Sequence, residues 1–143
     1  MSNEEIKATA RRMLEQVFPN EDVAALPELV AEDFVNHDGP PGAPQGRAGL
    51  AAGMHVLAGA FSDQRWEMHQ VLADGDTVVM YCTHSGEHTG EFMGIPATGR
   101  RFAYQQVHLV RFADGLGVEH WAVRDDATFM RQVTGQQPVA QPA

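Results

Sequence analysis

Arg101-Phe-Ala-Tyr-Gln-Gln-Val-His-Leu-Val-Arg-Phe112, the turn Asp114-Gly115 and Gly117-Val-Glu-His-Trp-Ala-Val123 read as two extended segments joined by a tight reversal. Side chains alternate faces along a strand, so Tyr104, Gln106 and His108 share one face of the first segment. If the second segment pairs with it, His120 joins that face and the two imidazoles meet. Asp125 and Asp126 follow at the mouth of a terminal helix, Asp126 to Val133, where a carboxylate accepts free N–H groups and faces the positive end of the helix dipole.

Upstream the same alternation continues. Trp66, Met68, Gln70 and Leu72 alternate with Glu67, His69, Val71 and Ala73, and Asp74-Gly75-Asp76 turns the chain into Thr77 to Gly86, which makes a hairpin. Residues 90 to 99 contain three Gly and one Pro and form a connection. Before residue 62 the period is helical. Asn3 to Val17 stacks Ile6, Ala10, Met13, Leu14 and Val17 on one stripe, with Ser2 or Asn3 as cap, and Pro19-Asn20 ends it. A short second helix is expected over Glu21 to Val30, with Pro27 inside it, then an extended piece over Phe34 to His37. The Pro- and Gly-rich stretch Asp38 to Gly46 is a loop, and Arg47 to Phe61 is a third helix. Three N-terminal helices followed by a long antiparallel meander predict an α+β fold in which a curved sheet wraps around the helices and leaves an apolar pocket between them. One domain is expected over residues 1–134, with a flexible tail over 135–143.

Bulk properties narrow the function. A chain of 143 residues with 43% hydrophobic and 20% charged residues fits a single domain with a real core. The formal charge of −9 repels phosphate backbones and anionic lipid, so neither nucleic acid nor membrane is expected as a partner. No apolar run approaches the ~20 residues that span a bilayer, and the opening Met-Ser-Asn-Glu-Glu lacks a signal peptide's character, which predicts a cytoplasmic protein. Cys82 is the single cysteine, so it reads as a small buried residue. His84 and His88 share a strand face, but no third ligand stands at a recognisable spacing, and no metal is expected.

His88-Thr-Gly-Glu-Phe-Met-Gly-Ile-Pro-Ala-Thr-Gly-Arg100, the strand ending Val-Arg-Phe-Ala-Asp-Gly, then Glu119-His-Trp and the closing Arg-Gln-Val resemble the SnoaL-like polyketide cyclases and predicted ester cyclases, of the nuclear transport factor 2-like fold. The similarity runs from about Glu5 to Val133. It implies a homodimer of cones and a cofactor-free, metal-free intramolecular aldol ring closure. In that family the proton is shuttled by an aspartate two residues after the histidine of Glu-His-Trp; here the position is Ala122. Gln106 and His108 match the family's paired polar residues, His120 its histidine, and Asn36-His37 its polar loop position.

The expected catalytic set is His120 as acid/base, His108 and Gln106 holding the substrate oxygen, Asp125 orienting an imidazole, and His37-Asp38 as a reserve proton shuttle. An unperturbed imidazole titrates near ~6.5, so a modest change of environment poises it for either role. Tyr104 and Asn36 are expected polar contacts, and Trp66, Trp121, Met80, Phe92 and Met93 an apolar lining for a hydrophobic carbonyl substrate. The expectation is a cyclase or isomerase. The alternatives are a non-catalytic binder of a hydrophobic small molecule, which Ala122 suggests, and an epoxide hydrolase-like enzyme, which needs paired carboxylates around a water.

Overall fold

The computed structural model describes residues 2–39, 41–137 and 139. Helix α1 (Asn3–Arg12) is opened by a capping box: Ser2 Oγ accepts from the Glu5 N–H while the Glu5 carboxylate accepts from the Ser2 N–H. It continues through a π-helical turn, Met13–Val17, and buries Ile6, Ala10, Leu14 and Val17. The second helix is shorter than its sequence suggests. Val23–Ala25 forms a 3₁₀ turn and only Leu26–Leu29 is α-helical (α2), because Pro27 fits in a first turn but not in an interior.

The chain then extends as β1 (Val30–Asn36), loops back, and enters α3 (Gly46–Ala60). Gly46 has φ +75 and its missing Cβ would stand 2.5 Å from the Glu32 carbonyl oxygen, so only glycine closes this loop against β1. Four strands follow: β2 (Phe61–Asp74), β3 (Thr77–His88), β4 (Arg101–Ala113) and β5 (Leu116–Arg124), before α4 (Asp126–Val133). The sheet order is β1-β5-β4-β3-β2. It is mixed rather than wholly antiparallel: β1 runs parallel to β5, with Asn36 beside His120.

Alternation along β3 and β4 is regular, and their even-numbered residues are largely buried against the helices. β2 departs from it. A bulge between Met68 and Gln70 inverts the parity, so Trp66 and Met68 face inward while Gln70 and Leu72 pair with Tyr81 and Val79 on the outer face. The expectation that these four share a face is corrected by that bulge. Helix α1 lies over Trp66, Val78, Met80, Cys82 and Phe112, and α4 closes the other end through Phe129 and Val133 against Phe61, Phe102 and Tyr104. Gln132 binds both the N–H and the C=O of Ala103, satisfying the edge of β4 that β5 leaves bare. The expected tail over 135–143 falls mostly outside the described residues.

Candidate active site

Pairing of β4 with β5 sets Gln106 opposite Arg124, His108 opposite Ala122 and Val110 opposite His120. Residues directly opposite in a ladder share a face, so Arg124 and Ala122 lie on the same inner surface as the two imidazoles. Parallel pairing adds Asn36 of β1.

These side chains form one hydrogen-bonded chain. Asn36 Oδ1 is 2.8 Å from His120 Nδ1, His120 Nε2 is 2.9 Å from His108 Nδ1, and His108 Nε2 is 2.6 Å from Gln106 Oε1. Trp66 Nε1–H also donates to Gln106 Oε1, at 3.2 Å. Gln106 Nε2 donates to Tyr104 Oη at 2.9 Å, and His84 stands between Tyr104 Oη and Gln64 Oε1 at 3.1 and 3.0 Å. Trp66, His84, Tyr104, Gln106 and His108 are all buried. The chain surfaces at the Asn36 end, where Asp38 donates its N–H to Asn36 Oδ1 and its carboxylate pairs with Arg124; the Asp38 and Arg124 side chains keep 18% and 26% exposure. Arg124 Nε is buried without a hydrogen-bond partner among the described residues.

Burial dominates the electrostatics. It pushes His120 down to about 3, helped by the Arg124 and His37 charges, and holds His108 well below its ordinary value. Tyr104 is raised to about 12 for the same reason. Asp38 is raised by burial, which outweighs the opposing pull of Arg124. His84, stacked on Trp66 with ring centroids 4.0 Å apart, is lowered to about 3, again by burial. Its folded value lies below the ordinary 6.5, so the stability it contributes is whole above that pH and is lost as pH falls toward 3. Chemical denaturation should therefore show this group removing about 3 kcal/mol between pH 7 and pH 4, and His84→Phe should flatten that part of the profile.

Several expected site residues stand elsewhere. His37 faces outward, 2.7 Å from Glu119 Oε2 and stacked on Trp121, because it is one residue out of phase with Asn36. Trp121 is likewise out of phase with His120 and lies on the outer face. Asp125 caps α4, accepting from the Thr128 N–H and Oγ–H, and these bonds lower its pKa; it orients no imidazole. Met93 is 83% exposed in the connection after β3, while Phe92 packs on Phe61 and Phe129. Trp66 and Met80 pack together in the core beneath α1. Gln106 and His108 bond to each other and to buried neighbours, so they stand behind His120. Two surface grooves, of about 290 and 310 Å³, are bordered by Met68 to Val71 under α1 and by Tyr104, Gln105 and Asp125 beside α4; neither is lined by His108 or His120. The described residues contain no group of three or more His, Cys, Asp and Glu side chains suited to a metal ion.

Arg124 is not among the expected site residues, although counting in twos from His120 through Ala122 reaches it.

Residues 8–133 match the SnoaL-like polyketide cyclase family. Aklanonic acid methyl ester cyclase DnrD of Streptomyces peucetius is 34% identical over 119 residues, 77% of each chain. Wild-type IdmH from Streptomyces antibioticus superposes with a TM-score of 0.78 at 32% identity, covering 90% of this chain and 98% of its own. TsrD from Streptomyces laurentii shares the fold at a TM-score of 0.86 and 24% identity, covering 93% and 97%. The hydrogen-bonded imidazole pair inside a mixed α+β cone thus sits in a chain that belongs to the SnoaL-like polyketide cyclase family.

Proposed function

We propose that the protein closes a ring in a hydrophobic polyketide-type carbonyl substrate by acid/base catalysis, without a cofactor. With substrate taking the place of Asn36 at His120 Nδ1, His120 takes a proton from a carbon beside a carbonyl; the enolate carbon bonds to a second carbonyl carbon of the same molecule; the alkoxide formed takes the proton back. Atoms and electrons balance within the substrate, so the reaction is an isomerisation. The observation that carries this reading is the His108–His120 pair opening toward Asp38 and Arg124. Asp38 supplies a carboxylate at the mouth of a site where Ala122 stands in place of the family's aspartate, and the Arg124 Nε–H, without a partner among the described residues, is the candidate donor to a developing enolate oxygen.

The test is incubation of the purified protein with a methyl ester of the kind the Streptomyces relative cyclises. Ring closure by the natural protein without additives supports the reading. If the natural chain binds but leaves the substrate unchanged, and Ala122→Asp alone turns it over, the protein is a binder. Epoxide hydrolysis is the less favoured reading: Asp125 is a helix cap, Glu119 faces outward, and Asp126, whose charge reaches Asp38, lies in the first turn of α4.

A homodimer and a cytoplasmic location belong to the same reading. No described helix is long and apolar enough to cross a membrane. The outer sheet face carries Leu72, Val79, Leu109 and Trp121 in one row across four strands, beside Val123 and Val35. Leu72 and Val123 are 59% and 71% exposed in the single chain, an apolar surface suited to a second copy. Analytical ultracentrifugation at micromolar concentration should give a dimer, and Val123→Glu a monomer. A monomeric natural protein would overturn this part.

A further inference from the structure

Three hydrogen bonds join Gln106 Oε1, His108, His120 and Asn36 Oδ1, yet two neutral imidazoles carry only two N–H groups between them. Both terminal oxygens are pinned by groups that can only donate. Trp66 Nε1–H holds Gln106 Oε1, and the Asp38 backbone N–H holds Asn36 Oδ1. Turning either amide would set N–H against N–H. Gln106 is held a second time, since its Nε2 donates to Tyr104 Oη.

The tautomers follow from Trp66 outward. Gln106 is the more firmly held end and its link to His108 is the shorter, 2.6 Å against 2.8 Å at Asn36, so His108 carries its proton on Nε2; pairing of the two rings then requires His120 Nε2–H to donate to His108 Nδ1. His120 is then left with a bare Nδ1 directed at Asn36 Oδ1, 2.8 Å away. Two lone pairs at that distance repel. One more proton on Nδ1 converts the contact into a charge-assisted hydrogen bond whose acceptor is already in place. The branch through Tyr104 and His84 to Gln64 shows no such deficit, because a Tyr104 O–H donating to a neutral His84 satisfies every link.

We infer that the His108–His120 pair is a receptor for one proton whose basic atom is His120 Nδ1, and that Trp66 is the positioning residue that selects this atom through Gln106 and His108. The inference deepens the acid/base reading and rests on it for its catalytic meaning. Charge around the pair is mixed. Arg124 on β5 opposes protonation, Asp38 after β1 offsets Arg124, His84 on β3 stays neutral, and His37 is turned outward onto Glu119. Burial disfavours the cation, and the third hydrogen bond is what works against burial.

Nitrogen-15 NMR of the imidazole rings, followed through a pH titration, tests the assignment directly. In the natural protein both rings should be Nε2–H at high pH, and the pair should take up one proton, at His120 Nδ1, as a single shared step. Trp66→Phe frees Gln106 to turn its amide, so both rings should switch to Nδ1–H and the step should move down by about one pH unit or more, a tenfold loss of proton affinity. Gln106→Met should do the same by deleting one of the three links, and it serves if the first variant does not fold. His108 found as Nδ1–H in the natural protein, or tautomers and step unmoved in a folded variant, overturns the proposal. The acidic limb of kcat/KM should shift with the NMR step. If the step shifts while the limb stays, the proton receptor stands and the catalytic reading falls.

Discussion

His120→Ala should lower kcat by about 10²–10⁴, the usual contribution of a positioned general acid/base. Alanine removes the one imidazole that links the buried chain to the end opening on Asp38 and Arg124, and it leaves His108 Nδ1 facing a void. His108 is too deeply buried to replace it. The measurement is turnover at saturating substrate, alongside a thermal melt showing that the variant is folded. Undiminished turnover in a folded variant would remove His120 from the mechanism.

Arg124→Gln should cost about 10²–10³ in kcat, comparable to deleting one oxyanion-hole donor. Two effects combine. The guanidinium Nε–H, buried and without a partner among the described residues, is lost as the proposed donor to the substrate oxygen, and Asp38 is left without the positive neighbour that pulls its pKa down. Without Arg124, burial acts on Asp38 unopposed by that charge, its pKa rises further, and any limb of the rate profile set by the ionised carboxylate should move to higher pH. Arg124→Lys should restore part of the pH behaviour but little of the rate, because a lysine supplies the charge without the fixed Nε–H. A kcat unchanged in Arg124→Gln would confine this residue to holding the Asp38 loop.

Much of this arrangement is legible in strand parity. Tyr104, Gln106 and His108 fall on one face by counting in twos, and the Asp114-Gly115 turn brings His120 to them. The same arithmetic places Trp121 outside and Arg124 inside, against the hydrophobicity of the tryptophan, which suggests a pocket lining, and against the two acidic residues after the arginine, which suggest a solvated helix start. Residues near β1 were harder. Local sequence cannot tell whether Asn36 or His37 faces inward when the strand's partner lies more than 80 residues away and runs parallel. The bulge at Met68 and Gln70 leaves no signature either, since an extra residue in a strand is defined by its partner. The donor-only role of Trp66 depends on the tertiary contact of its indole with Gln106, because a tryptophan in an alternating strand reads first as apolar bulk.

The parallel seam between β1 and β5 also bears on folding kinetics. It joins the first quarter of the chain to the last strand, so closing it carries the entropy of a very long loop, whereas the β2–β3 hairpin closes across two residues. Refolding should complete the meander first and dock β1 late, which makes Asn36 the last group to reach its histidine. Catalytic competence would then lag behind recovery of most secondary structure, and partially refolded molecules would be inert.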